Sequence, residues 1–137
     1  MTTEITLTNL SDNGFDQKGF TKLKKIRVET VQAEADTGLS YLVITEELRQ
    51  KLGLKIKDMR IVQISDGRHV MCRITEYVKV RWKDRETIVW AMVIPCSKKI
   101  ILGAIPMEAM DLKVNFVTQE VVDAHDECNK IKVFHVA

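Results

Sequence analysis

Residues 36–44 read DTGLSYLVI, an Asp-Thr-Gly triplet followed by a mostly apolar run. The preceding residues 22–35 are rich in β-branched side chains, which predicts a long strand that leads directly into the triplet. Downstream, Thr45 is predicted to cap the N-terminus of a helix that ends at Gly53. The triplet therefore lies in a turn after a strand. Because an Asp close to a Gly is common in ordinary turns, the triplet alone does not establish chemistry.

Two β-hairpins are predicted after this helix. The first joins strands 60–64 and 70–74 through the turn 65–68, whose Asp-Gly pair between such runs is a strong hairpin signal. A second hairpin is predicted over residues 77–93, with its turn at 83–86. The first hairpin is expected to project from the body of the fold.

The rest of the chain is also predicted to be mostly strand. Short strands are expected at 100–102, 112–117 and 130–136, and a small helix is expected to begin at Pro106 and to end at Met110. Many short strands with one or two short helices predict an all-β fold in the form of a closed or nearly closed barrel. No repeat, linker or low-complexity segment divides the chain, so a single domain is expected to span all 137 residues.

Composition argues against several classes of protein. Hydrophobic residues make up 45% and charged residues 29% of the chain, a balance typical of globular proteins and not of disordered ones. The formal charge of +2 is too small to indicate nucleic acid or an anionic membrane as a partner. No apolar run approaches the roughly 18 residues that span a bilayer. The polar start does not resemble a signal peptide, so a cytoplasmic location is expected.

The cysteines and histidines indicate neither a disulfide framework nor a metal site. Cys72, Cys96 and Cys128 are odd in number, far apart and without CxxC spacing, and we interpret them as reduced thiols. The histidines also lack the spacing of metal ligands. No metal or other cofactor is therefore expected.

The order of these elements resembles the retropepsin family of aspartic proteases, and especially its small bacterial members. The most specific features are the triplet at 36–38 and the apolar-apolar-Gly element at 101–103, which stand at the family's usual separation. The resemblance covers about residues 5–116, which leaves 117–137 as a C-terminal extension. The implied fold is a retropepsin-like closed barrel that acts as a homodimer.

The resemblance also implies an activity, that of an aspartic endopeptidase. Hydrolysis of a peptide bond without a metal or a covalent nucleophile needs a base to activate water and an acid to protonate the leaving nitrogen. Two adjacent carboxyl groups supply both, because they do not readily ionise together. This chain has one Asp-Thr-Gly triplet, so Asp36 of a second copy must provide the other carboxyl group. The expected partners are a second copy of the chain and a polypeptide substrate.

Other site residues are carried over from the family by position. Thr37 is expected to form a hydrogen bond across the dimer, and Gly38 is expected to let the substrate backbone approach closely. The first hairpin is expected to be the flap, which covers the substrate and excludes water, with its tip at Ser65, Asp66 and Gly67. A role only in the turn remains the alternative for Gly67.

Two positions differ together from the viral members of the family. Those members carry an Asp after the triplet and an Arg after the later Gly, which form a pair, whereas this chain has Ser40 and Ala104. Because both partners are absent, no buried charge is left unpaired and the fold is expected to tolerate the change. We expect a weaker dimer than in the viral enzymes, and we expect the extension 117–137, with its alternating tail 131–136, to supply further dimer contacts.

Glu34 stands where the family usually has an apolar residue. Side chains two apart in a strand point to the same face, so Glu34 is predicted to share the face of Asp36, with Ala33 and Ala35 on the packed side. There Glu34 would take part in substrate binding by favouring Lys or Arg in the adjoining pocket. The alternative is that Glu34 points to solvent or forms a surface ion pair. Glu34 also favours a rival function, a non-catalytic dimeric protein-binding module with the same fold.

Overall fold

A computed structural model describes residues 1–12, 25–63 and 66–125 of the chain. Within these residues the chain forms nine strands, a 3₁₀ turn (Leu10–Asp12) and two α-helices. The strands are β1 (Thr2–Asn9), β2 (Val28–Ala35), β3 (Leu42–Ile44), β4 (Ile56–Gln63), β5 (His69–Trp82), β6 (Arg85–Val93), β7 (Ile101–Leu102), β8 (Leu112–Asn115) and β9 (Glu120–Asp123). The helices are α1 (Glu46–Leu52) and α2 (Ala104–Ala109).

Seven of these strands form one sheet, which closes on itself. The strand order is β1-β2-β7-β3-β6-β5-β4, and β1 also pairs with β5. Because β1 pairs with both β2 and β5, all the strands of this sheet except β4 form a ring, and β4 extends outward from β5. The prediction of an all-β fold with short helices is confirmed.

Apolar side chains at alternate strand positions fill the interior of the ring. Ile5 and Leu7 of β1 are buried, as are Ala33 and Ala35 of β2, which is the period of two expected for strands with one packed face. A second, smaller apolar cluster lies beside the β4–β5 hairpin and consists of Cys72, Ile74 and Met92 with the partly buried Tyr41, Val62, Val70, Trp90 and Ile94. Burial raises the pKa of the Cys72 thiol.

Helix α1 begins and ends where the sequence predicts. Thr45 Oγ1 accepts a hydrogen bond from the Leu48 N–H at 3.1 Å, which caps the N-terminus. Gly53 ends the helix with a φ of 65°, a left-handed conformation that glycine adopts without strain. Leu48 and Leu52 are buried and attach the helix to the core. Among the described residues, no helix is both long enough and apolar enough to cross a membrane.

Helix α2 begins at Ala104, two residues earlier than the predicted start at Pro106. The Gly103 carbonyl accepts a hydrogen bond from the Met107 N–H at 3.3 Å, so the first helical turn closes over Gly103. Pro106 is tolerated within this first turn, because N–H groups there have no partner inside the helix.

The strands predicted at 70–74 and 77–82 form a single strand, β5. A bulge between Ile74 and Tyr77 shifts the register with β6, and it bends the strand without ending it. The turn of the second hairpin is also shorter than predicted. It contains only Lys83 and Asp84, because Trp82 already pairs with Arg85.

The described part of the C-terminal extension packs onto the same core. β9 pairs with β8 in antiparallel orientation, and Val121 of β9 is buried in the main core. Asp123 of β9 also accepts a hydrogen bond from the guanidinium of Arg85 on β6. The strand predicted at 130–136 lies outside the described residues.

Candidate active site

Backbone hydrogen bonds to two neighbouring segments hold the end of β2 and Asp36, the residue that follows it. The Asp36 N–H donates to the Leu102 carbonyl at 3.1 Å, and the Glu34 N–H donates to the Ile100 carbonyl at 2.8 Å. On the other side, the Ala35 N–H donates to the Met1 carbonyl at 3.0 Å. Asp36 therefore leaves the sheet at a position that distant parts of the chain determine.

The triplet forms a tight turn around the Asp36 carboxylate. The Gly38 N–H donates to Asp36 Oδ1 at 2.8 Å, and the Leu39 N–H donates to the Asp36 carbonyl at 3.3 Å. A Cβ at position 38 would lie 3.0 Å from Asp36 Oδ1, so glycine leaves this hydrogen bond undisturbed. Asp36, Thr37 and Gly38 are all exposed in the single chain, and the carboxylate is therefore accessible to water and to other molecules.

Gly103 and the start of α2 support the loop that follows the triplet. The Ala104 N–H donates to the Leu39 carbonyl at 2.7 Å, and the Ile105 N–H donates to the Ser40 carbonyl at 2.8 Å. A Cβ at Gly103 would lie 2.3 Å from the Tyr41 carbonyl oxygen and 2.7 Å from the Leu39 carbonyl oxygen, so no side chain fits. Backbone hydrogen bonds between residues 39–40 and residues 104–105 therefore join the two segments that carry Ser40 and Ala104, the positions of the charged pair expected in viral members of the family.

Asp36 opens into a cavity of about 670 Å³. Its walls come from the triplet, the loop after it, β3, β4, β6, β7 and the connection between β6 and β7. They are formed by Asp36, Gly38, Leu39, Ser40, Tyr41, Val43, Val62, Gln63, Met92, Ile94, Lys99 and Ile101. Most of these side chains are apolar. A cavity of this kind fits the apolar side chains of a polypeptide, with a carboxylate at its edge for chemistry.

A second cavity, of about 540 Å³, lies beside Trp90 and Tyr77, and Asp36 does not line it. Arg60 lies over the Trp90 ring at 5.2 Å from its centroid, and Trp90 contacts Tyr41. We place the candidate site at the larger cavity, because only that one contains the Asp36 carboxylate.

Comparison with known proteins identifies the family and the fold of the chain. The sequence pattern of a family described as aspartyl protease matches residues 20–104, more than half of the chain, including the triplet and Gly103. The chain belongs to the aspartyl protease family. Among solved structures it is similar to the EIAV protease complexed with the inhibitor HBY-793, with 18% identity, a TM-score of 0.56, and coverage of 85% of this chain and 92% of that chain. This likeness shows a retropepsin-like fold. The comparison with curated proteins found no match.

The hairpin expected to be the flap is present, but Asp66 and Gly67, the described residues of its expected tip, do not line the cavity. Val62 and Gln63 at the end of β4 line the cavity instead. Gly67 has a φ of 88° and open space around its Cβ position. Ser65 lies outside the described residues.

Asp66, at this tip, is engaged within the hairpin. Its carboxylate accepts hydrogen bonds from the Arg68 N–H at 3.0 Å and from Arg68 Nε at 2.6 Å. These contacts, the backbone N–H foremost, hold the pKa of Asp66 below its usual range. Gly67 at the tip is connected to the cavity wall through Gln63, whose Nε2 donates a long hydrogen bond of 3.5 Å to the Gly67 carbonyl.

Glu34 forms a surface ion pair, the alternative to a place in the substrate pocket, and its partner is Lys99. Its carboxylate lies 3.8 Å from Lys99 Nζ, and its side chain is 44% exposed. Lys99 lines the cavity, whereas Glu34 does not. Lys99 lies before β7 in a segment that forms no strand, so strand alternation does not point to it in the sequence.

Proposed function

We propose that this protein is an aspartic endopeptidase that acts as a homodimer, with Asp36 of each chain forming the catalytic pair. The observation that carries the proposal is the exposed Asp36 carboxylate, held by the Gly38 N–H at the edge of a large and mostly apolar cavity. Membership of the aspartyl protease family supports it. The bacterial type inferred from the sequence stays a prediction.

The proposed reaction uses one carboxyl group as base and the other as acid. The ionised Asp36 takes a proton from a water molecule, and the oxygen of that water attacks the carbonyl carbon of the substrate. When the C–N bond breaks, the protonated Asp36 of the second chain donates its proton to the departing nitrogen. Because two close carboxyl groups do not readily ionise together, the pair naturally holds the single proton that this sequence of steps requires.

The proposed dimer explains why the triplet is exposed in a single chain. Each chain supplies one Asp36, so the site is complete only when two triplets meet across a two-fold axis. Thr37, which is exposed next to Asp36, would form the hydrogen bond across this axis. Gly38 would allow the substrate backbone to approach, and the hairpin that carries Ser65, Asp66 and Gly67 would close over it.

We also propose that the chain is one domain in a cytoplasmic protein with a polypeptide substrate. The described thiols of Cys72 and Cys96 are free, which fits a reducing compartment.

We also propose that residues 117–137 supply dimer contacts. Val121 of β9 is buried in the core of its own chain, so a truncated chain that tests this proposal must retain β9. A chain truncated after His125 should dimerise more weakly than the full chain in analytical ultracentrifugation, and equal dimerisation would remove the segment 126–137 from the proposal.

A non-catalytic protein-binding dimer is the rival function. Glu34 favours it, because the ion pair with Lys99 places charge beside a site that the family usually surrounds with apolar residues. A module of this kind would bind peptides in the same cavity and leave them intact.

A peptidase assay separates the two functions. Concentrated protein is incubated with a mixed peptide library, with and without a statine-type inhibitor, and the products are identified by mass spectrometry. We expect cleavage that the inhibitor stops, and we expect specific activity to fall on dilution because the site needs two chains. Peptide binding without cleavage at high protein concentration would establish the rival. Specific activity that stays constant across the dissociation range of the dimer would contradict the shared site.

A further inference from the structure

Lys99 is the one cation among the described residues that line the cavity beside Asp36. Apart from Asp36 itself, the other lining side chains are apolar or neutral. The Lys99 side chain is 73% exposed, so its ammonium group is accessible to a molecule that enters the cavity. The cavity wall therefore combines apolar surface with a single positive charge.

Lys99 lines the same cavity as Asp36 and lies just before β7, the strand that pairs with β2. Ile101 of β7 pairs with Glu34 of β2, and Asp36 follows β2 directly. Lys99 stands two residues before Ile101, and both residues line the cavity. A substrate side chain that enters this cavity, next to the bond attacked by the water that Asp36 activates, would therefore meet the wall that carries Lys99.

Glu34 does not neutralise Lys99 firmly. The two charged groups are 3.8 Å apart, beyond a good hydrogen bond, and both side chains are well exposed. Exposed pairs of this kind contribute only about 0–1 kcal/mol, because water and salt screen them. Lys99 can therefore turn from Glu34 to a carboxylate of the substrate. Bound substrate would make that ion pair less accessible to water than the pair with Glu34, so the attraction between its charges is stronger.

We propose that Lys99 is a specificity-determining residue that selects an acidic side chain, Asp or Glu, beside the scissile bond of the substrate. Glu34 competes with that side chain for Lys99 and limits the preference. The inference rests on the proposed peptidase function and names its substrate class: polypeptides with apolar residues around the cleavage site and one carboxylate among them. The preference is opposite to the Lys or Arg preference that Glu34 alone suggests.

The test uses matched peptides that differ only beside the scissile bond, where they carry Glu, Gln or Lys. We expect wild-type protein to show kcat/KM for the Glu peptide about fivefold above that for the Gln peptide, the size of one exposed ion pair. Lys99→Met should cleave the Glu and Gln peptides with equal kcat/KM, and Lys99→Arg should retain the wild-type preference for the Glu peptide. Lys99→Glu should reverse the order of the Glu and Lys peptides. Glu34→Gln should raise the preference for Glu, because the competitor is removed.

Lys98→Met is the matched control. Lys98 is the neighbouring lysine and is also exposed, but it lines a different cavity, beside α1. This variant should keep the wild-type preference, and the preference should shrink as salt is raised. An unchanged ratio in Lys99→Met, or a wild-type preference for the Lys peptide, overturns the inference.

Failure of the peptidase function can be distinguished from failure of this inference. If wild-type protein cleaves none of the peptides, their dissociation constants are measured by fluorescence anisotropy with the same variants. Tighter binding of the Glu peptide that depends on Lys99 would uphold the selection of acidic side chains while removing catalysis. Cleavage that requires Asp36 but ignores the charge of the peptide would uphold catalysis and remove the role of Lys99.

Discussion

Two regions of the candidate site are held by different kinds of contact. One is the floor, by which we mean the triplet and the loop after it (residues 36–41), and the other is the β4–β5 hairpin. At the floor, the backbone of Asp36 bonds to Leu102 and the loop after it bonds to the start of α2, so the contacts join segments that are far apart in sequence. At the hairpin tip, the hydrogen bonds of Asp66 go to Arg68, two residues away. Residues 57–61 of β4, among them Met59 and Ile61, are exposed.

This difference matches what a peptidase requires of the two regions. A catalytic carboxylate must be placed to within a fraction of an ångström, which needs long-range contacts that leave no alternative position. A cover must open to admit substrate, and a hairpin whose tip is held by local contacts can move without breaking the core. We expect substitutions at the floor to have large effects and those at the hairpin tip to have small ones.

The largest expected effect is that of Asp36→Asn on activity. The amide preserves the shape of the carboxylate but does not take the proton of water, so we expect kcat to fall by about 10²–10⁴-fold. Unfolding by urea should change little, since the side chain is exposed. The control is Asp84→Asn, the same change at a side chain 91% exposed in the β5–β6 turn. Equal activity of the two variants would remove Asp36 from the mechanism.

Glycine substitutions compare the rigidity of the two regions directly. Gly103→Ala places a Cβ 2.3 Å from a backbone oxygen at the floor, and we expect a loss of about 3 kcal/mol in the free energy of unfolding. Gly67→Ala meets open space and has only its φ of 88° to overcome, so we expect a smaller loss, of about 1–2 kcal/mol. Urea denaturation measures both. A larger loss at Gly67 than at Gly103 would break the comparison between floor and hairpin.

A smaller effect is expected at Glu46, which anchors the base of the hairpin to the body. Its carboxylate accepts hydrogen bonds from Arg49 Nε at 2.7 Å, within α1, and from Arg73 Nη2 at 2.6 Å, on β5. The Arg49 contact is the main reason that the pKa of Glu46 is lowered from 4.5 to about 2. Because the side chain is 37% exposed, solvent screening limits the stabilisation to about 1 kcal/mol.

The sign of the pH dependence follows from this lowered pKa. Above pH 4.5 Glu46 is ionised in both folded and unfolded chains, and its contribution to stability is complete. As the pH falls toward 2, the unfolded chain takes up the proton first and the contribution is lost. We expect Glu46→Gln to be about 1 kcal/mol less stable than wild type at pH 7, and the gap to narrow at pH 3. Glu47→Gln, on the same helix at a side chain 79% exposed, is the control. A gap that stays constant from pH 7 to pH 3 would disprove the role of Glu46.

Local patterns were enough to predict much of the fold. Thr45 and Gly53 mark the ends of α1 because capping depends on residues within one helical turn. The buried Ala33 and Ala35 follow from the period of two in β2, and the hairpin that carries Asp66 and Gly67 follows from turn chemistry. The boundaries that failed, at the start of α2 and within β5, depend on contacts with distant segments. The first two N–H groups of α2 donate to the carbonyls of Leu39 and Ser40, and the bulge in β5 lies where its register with β6 shifts.

The sequence by itself determined where an Asp-Thr-Gly turn, an apolar-apolar-Gly strand and a projecting hairpin lie along the chain, since each depends on neighbouring residues. Only the tertiary structure decided that β1 closes the ring, that Gly103 lies against the backbone of Tyr41, and that Lys99 rather than Glu34 lines the cavity with Asp36. These contacts join residues that are distant in sequence. They depend on strand order and register, which no local pattern specifies, and so they become known only when the whole sheet has formed.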